Sequence, residues 1–399
     1  MQTMLSFCSI IAVFIVKNWN SLSIMMENFS SWLKGKICNN FAYNIRQVFY
    51  IMSIWIFVTL FFIYIKFNDI PESYLSDIYK LQQEMTKNWM YRTALFIGLS
   101  FGLVMGILHI FVYPYIERTQ KLFYNILFRV TVFCMLSYSI YFMLLCMHGF
   151  VINRELVLLI FRQPATINIL LYAFITETLV SLIMLLRRNL GRKYFINILK
   201  NTYRNPKEEE RVFLFLDLED STPTAHKMGH LNFSRYIQDC FWDLSDITLM
   251  HGAEIYQFVG DEAVITWKVS KNFDYGKCIA LYFSYRDLLE QKKPFYMEKY
   301  GMLPRFRCAI HSGKVSAALV GDYKKEIAYH GNVLNLGSRL QKNCKEYNAG
   351  ILISEDFHSN LKDHWYSLSP IVLNDLKGIE EAQTAYKVEE ENKKYFFYL

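Results

Sequence analysis

The sequence predicts a membrane-anchored, multi-domain protein: an amino-terminal all-α transmembrane bundle followed by an α+β domain of ferredoxin-like topology. Three observations carry that expectation. Long apolar blocks fill the chain up to about residue 190 and then stop. The remainder is charge-rich, with strand and helix patterns in the order β-α-β-β-α-β. Two aspartates, Asp217 and Asp261, end strand patterns that this order makes neighbours. The expected segments are 1–45 (cytoplasmic or interfacial), 46–186 (four transmembrane helices), 187–210 (connecting helix and linker) and 211–390 (the α+β domain).

Of 399 residues, 53% are hydrophobic and 17% aromatic, which exceeds the usual share of a soluble domain and places part of the chain in lipid. A span needs about 20 mainly apolar residues. Val48–Ile65, Ala94–Ile116, Ile126–Met147 and Ile169–Leu186 meet that need. Stretches such as IMSIWIFVTLFFIYI present no polar face, unlike a helix at the surface of a soluble core. Basic residues flank alternate connections: Lys34, Lys36 and Arg46; then Arg118, Lys121 and Arg129; then Arg187, Arg188, Arg192 and Lys193. That bias marks one side as cytoplasmic and puts both ends of the bundle inside. The stretch Met4–Val16 is too short for a span; it reads as a surface helix, or the start of the chain lies at Met25 or Met26. Glu177 falls within the fourth span, where a carboxylate is costly. The expected arrangement is a neutral glutamate bonded to a neighbouring helix, such as the one bearing Ser137 and Ser139.

The net charge of +7 is mostly topological, since much of it flanks apolar spans, and no basic stripe interleaved with aromatics signals nucleic-acid binding. The 8 cysteines are scattered without a Cys-x-x-Cys pair, which argues against a zinc site or a disulfide framework. Lys324–Lys325 and the tail EEENKK read as solvated surface.

In the second half, RNPKEEE (204–210) is a polar linker and RVFLFLD (211–217) a buried strand ending in Asp217. LEDSTP forms a turn, and an amphipathic helix runs from about Leu231 to Met250. GAEIYQFVGDEAVITW is a hairpin turning at Gly260–Asp261. A helix near 276–293 and two strands, FRCAIHSG and KVSAALVG, complete the order. Asp217 and Asp261 thus converge at one sheet edge. Hard oxygen ligands beside a triphosphate suit two Mg²⁺ or Mn²⁺ ions. Backbone N–H groups of the turn, with Ser221 and Thr222, can cradle phosphates.

The segments FLDLEDST, FVGDEAVITW and HGNVLNLGSRLQ resemble the signature segments of class III adenylate and guanylate cyclases, over about Arg211 to Val388. EIYQFVGDE behind four spans resembles a bacterial membrane-anchored type. The resemblance implies that Asp217 and Asp261 bind two metal ions, that Asn335 orients the ribose, and that Arg339 stabilises charge at the α-phosphate. It also implies a homodimer whose sites are completed by Asn335 and Arg339 of the partner. Independently, Asn335 and Arg339 lie four apart on one helix and share a face. The family's base-recognition pairs are absent: Gln257 and Ala328 stand at those positions. Lys377 in DLKG is the candidate for the triphosphate-binding lysine. The expected activity is conversion of ATP to 3′,5′-cyclic AMP and pyrophosphate at the membrane; the alternatives are the same reaction on GTP, or a receptor that binds nucleotide without turnover.

Overall fold

The computed structural model describes residues 19–67, 87–119, 121–147, 164–362, 366–373 and 383–390. The chain divides into two compact units, Met1–Leu186 and Arg187–Leu399.

The first unit is helical among its described residues. Its helices are α1 (Trp19–Phe67), α2 (Lys87–Ile107) continuing through a π-helical turn (Leu108–Val112) into α3 (Tyr113–Thr119), α4 (Leu122–Met147) and α5 (Pro164–Leu190). Three stretches are long and apolar enough to cross a membrane: Phe41–Ile65, Tyr91–Arg118 and Asn168–Leu190. They contain the first, second and fourth expected spans. For the third, the described apolar stretch is Phe123–Ser139, shorter than a span; the side chains beyond it in α4 lie outside the described residues. Packing of α1 on α2 is close because Gly98, Gly102 and Gly106 line one face. A Cβ at these positions would stand 2.5 Å from Thr59 Oγ1, 2.9 Å from Met52 Cα and 3.0 Å from Val48 Cγ1. Phe57, Ile65, Leu171 and Leu179 face outward, as lipid-facing residues do.

Glu177 has a different partner from the expected helix with Ser137 and Ser139. Its Oε1 lies 2.8 Å from His109 Nε2 and accepts from Ser181 Oγ at 3.0 Å. Ser139 instead donates to Met135 O of its own helix. The π-helical turn carries His109 into the interior, and such single-turn distortions have no signature in apolar periodicity. Arg129 adds contacts to Asn125, Ser181 and Glu117.

The second unit begins with α6 (Arg192–Leu199) and β1 (Lys207–Leu218). Strand β1 starts four residues earlier than RVFLFLD predicts, so part of the expected linker belongs to the sheet. Glu209 explains the extension: it is buried and bonds to Arg211 Nε at 3.0 Å and Lys268 Nζ at 2.8 Å. A buried pair in a polar run defeats a linker reading based on charge alone. After β1 come α7 (Ser221–Met228), α8 (His230–Met250), β2 (Glu254–Val259), β3 (Glu262–Lys268), α9 (Gly276–Gln291) and α10 (Lys293–Tyr300). Then follow β4 (Phe306–Val320), β5 (Glu326–His330), α11 (Asn332–Glu346), β6 (Ile351–Ser354), α12 (Glu355–His358), β7 (Tyr366–Leu373) and β8 (Gln383–Glu390).

The eight strands form one mixed sheet in the order β2-β3-β1-β4-β6-β8-β7, with β5 pairing β4. Only the β4–β6 pair is parallel among the described pairs. The two strands expected as FRCAIHSG and KVSAALVG are one continuous strand, β4. Gly313 lies inside that strand, paired with Arg211, and allows close approach of α11: a Cβ there would stand 2.8 Å from Val333 Cγ2. Strand β1 is buried on both faces, and alternate residues serve different layers. Val212, Leu214 and Leu216 join the core built with α8 and α9. Phe213 and Phe215 pack in the opposite core with Val315, Ala317 and Val333. Parity puts Asp217 on this second face, the one covered by α11.

Candidate active site

Asp217 sits at the end of β1, opposite Glu262 on β3 and Arg307 on β4 in the sheet register. Asp261 occupies the turn between β2 and β3, where Val259 pairs with Glu262 across a two-residue connection. Gly260 supplies the positive φ (63°) that this tight turn requires at its first position. The sheet therefore brings together the two aspartates that the strand order predicts. Burial, then the neighbouring Asp261 carboxylate, pushes the Asp217 carboxyl above its usual range; a hydrogen bond from Gln341 Nε2 to Oδ2, 2.9 Å, acts the other way. Burial, Asp217 and Asp261 likewise raise Glu262, with Lys342 opposing.

Ser221 and Thr222 are the first two residues of α7, one turn beyond Asp217. Asp220 precedes them in a left-handed conformation (φ 50°, ψ 41°) and gives no side-chain cap, so the helix-start N–H groups stay available for an anion. Gln257 is exposed on β2, beside a register shift between Ile255 and Gln257. Ala328 lies on β5, paired with Ala318. The rings of Tyr256 and Tyr329, 5.0 Å apart, bring these two strands together next to both residues. Lys377 lies outside the described residues.

Asn335 and Arg339 share α11 but not the aspartates' side of it. At about 100° per residue they lie roughly 120° and 160° around the helix from Gln341, which touches Asp217. Asn335 is exposed and Arg339 half-buried. Among the described residues, neither forms a hydrogen bond or ion pair with Asp217 or Asp261. Sequence reasoning missed Gln341 and Glu262. The available signal for Gln341 was a polar side chain within the stripe Val333, Gly337, Leu340, Cys344.

Residues 204–395 match the family described as the adenylate and guanylate cyclase catalytic domain. The chain carries a class III adenylate/guanylate cyclase domain. It is 36% identical over 197 residues to "Adenylate cyclase 2" of Rhizobium meliloti (strain 1021), covering 49% of this chain and 54% of that protein. The chain thus spans about half the length of the curated relative it matches. Solved structures similar to the cyclase domain include the guanylyl cyclase Cya2 (18% identity, TM-score 0.43, 48% of this chain and 96% of that one). Another is the adenylyl cyclase CyaB from P. aeruginosa (18% identity, TM-score 0.41, 47% and 98%).

Class III cyclase domains generally use divalent metal ions. The cyclase domain's carboxylates fit such ions. Asp217 and Asp261 offer hard oxygen donors, and their mutual repulsion, felt at Asp217, is what a bound cation relieves. Among the described residues no group of three or more His, Cys, Asp or Glu is placed to hold one metal ion. A pair of carboxylates leaves coordination positions for phosphate oxygens and water, as Mg²⁺ sites on nucleotides require.

Proposed function

We propose that the protein is a membrane-anchored adenylate cyclase that converts ATP to 3′,5′-cyclic AMP and pyrophosphate. The observation that carries this reading is the pairing of Asp217 and Asp261 at one sheet edge, one turn from the uncapped start of α7. In the reaction the ribose 3′-oxygen bonds to the α-phosphorus, the bond from that phosphorus to the bridging oxygen breaks, and pyrophosphate leaves. The 3′-hydroxyl proton passes to solvent. Two Mg²⁺ or Mn²⁺ ions, held by Asp217 and Asp261, would supply acidification of that hydroxyl and neutralisation of the phosphates. Ser221 and Thr222 with the adjacent backbone N–H groups hold phosphate oxygens, and Lys377 binds the triphosphate. The position of Asn335 and Arg339 on the far side of α11 favours a homodimer. Each subunit then gives this pair to the other's aspartates, where the Arg339 guanidinium meets the charge growing on the α-phosphate.

Similarity to an adenylate cyclase favours ATP. Gln257, exposed beside the β2 register shift, offers one amide to donate to adenine N1 or accept from the amino group. The apolar helices Phe41–Ile65, Tyr91–Arg118 and Asn168–Leu190 serve as the membrane anchor, with the cyclase domain cytoplasmic. Incubating membranes that carry the full chain with ATP or GTP and Mn²⁺, and identifying the product, tests the proposal. Cyclic AMP supports it; cyclic GMP alone transfers the reading to GTP, and no cyclic nucleotide from either makes the domain a non-catalytic receptor.

A further inference from the structure

Gln341 occupies a position where an apolar residue would be expected. The buried stripe of α11 consists of Val333, Gly337, Leu340, Gln341 and Cys344. Leu340 and Cys344 pack with Ala309 and Leu352 of the sheet, and Val333 with Phe213 and Phe215. Gln341 lies among them with 8% of its surface exposed. A buried amide is costly unless it is bonded. This one is bonded to the carboxylate at the end of β1: Nε2 donates to Asp217 Oδ2 at 2.9 Å.

The chemistry of the donor matters as much as its presence. Asp261 acts on Asp217 through space and Glu262 stands opposite it on β3, while Arg307, opposite it on β4, is paired with Glu219 Oε1 at 3.2 Å. A lysine or arginine at position 341 would neutralise Asp217 and compete with a metal ion. A neutral amide donor holds the carboxylate without adding a positive charge to it. Helix α11 is also held at a close distance from β1, because Gly337 leaves no gap to Phe215.

We propose that Gln341 is a positioning residue for the metal-binding carboxylate Asp217. It takes one lone pair of Oδ2, fixes the rotation of the carboxylate, and leaves the remaining lone pairs to a divalent cation. The inference rests on the reading of Asp217 as a metal ligand. Groups that orient a ligand in this way typically change metal affinity by about 10–100-fold when removed.

The test uses the full chain in detergent and Mn²⁺ alone, with free Mn²⁺ followed by electron paramagnetic resonance. Gln341→Met keeps the volume and removes the donor; it is expected to weaken Mn²⁺ binding by about tenfold or more. The Mn²⁺ concentration for half-maximal cyclase activity should rise by a similar factor, while kcat at saturating Mn²⁺ is retained. Gln341→Lys is the second variant: it should eliminate Mn²⁺ binding and raise the melting temperature measured in EDTA. Asp217→Ala is the reference for loss of the site. Wild-type Mn²⁺ affinity in Gln341→Met or Gln341→Lys, with binding lost in Asp217→Ala, overturns the role of Gln341. Wild-type affinity in Asp217→Ala overturns the metal assignment and the inference with it.

Discussion

Replacing Gly337 with alanine tests how tightly α11 must sit on β1. Within an exposed helix the change would add stability of about 1 kcal/mol, because glycine is the poorer helix former. Here the sign is expected to reverse. A Cβ at position 337 would stand 2.2 Å from Phe215 Cε2 and 2.8 Å from Cδ2. Phe215 is buried, 3% exposed, in the core with Val264, Val315 and Val333. Restoring ordinary carbon contact separates α11 from β1 by about 1.2 Å or more. Overpacking of this kind costs about 1–3 kcal/mol. The same separation stretches the Gln341–Asp217 bond from 2.9 Å beyond hydrogen-bonding range and carries Asn335 and Arg339 with the helix. A misplacement near 1 Å lowers turnover by about 100-fold. Denaturant unfolding and cyclase activity at saturating Mn²⁺ measure the two effects. A Gly337→Ala protein that is more stable than wild type and fully active would refute the reasoning. Phe215→Leu in the same chain should recover part of both losses.

Asp217→Asn should abolish cyclisation yet stabilise the metal-free fold. The folded-state pKa of Asp217 is raised, so its ionised form costs stability at neutral pH and ceases to do so as pH falls through the carboxylate range. The gain in melting temperature in EDTA should therefore shrink on acidification; a gain that persists or grows at acid pH would contradict this. Mixing inactive Asp261→Ala and Arg339→Ala chains should restore activity, because one site of the heterodimer carries neither change; verified heterodimers that stay inactive would place all catalytic groups in one chain. Gln257→Ala should reduce the preference for ATP over GTP by about tenfold, the worth of one hydrogen bond to a neutral base; an unchanged ratio would assign base reading to other groups. Cysteines introduced at Glu72 and Arg154 should react with an impermeant reagent outside the cell, and one at Lys271 should not. The reverse pattern would invert the topology.

Features set by local pattern were legible in the sequence. The apolar run VFLFL within RVFLFLD marked a buried strand, and Gly260–Asp261 between alternating runs marked the hairpin, so the meeting of Asp217 with Asp261 followed from strand order. The apolar stretches around Phe41–Ile65, Tyr91–Arg118 and Asn168–Leu190 needed only length and hydropathy. The tertiary structure decided what depends on contacts between distant segments. Gly313 continues β4 because it stays in register with Arg211 of the long strand β1, a pairing between segments about 100 residues apart. Glu209 belongs to the sheet because Arg211 and Lys268 neutralise it in the interior. His109 meets Glu177 across 68 residues, and Gln341 meets Asp217 across 124. Periodicity reports which residues face inward, whereas the identity of the partner met there is set only when separate elements pack.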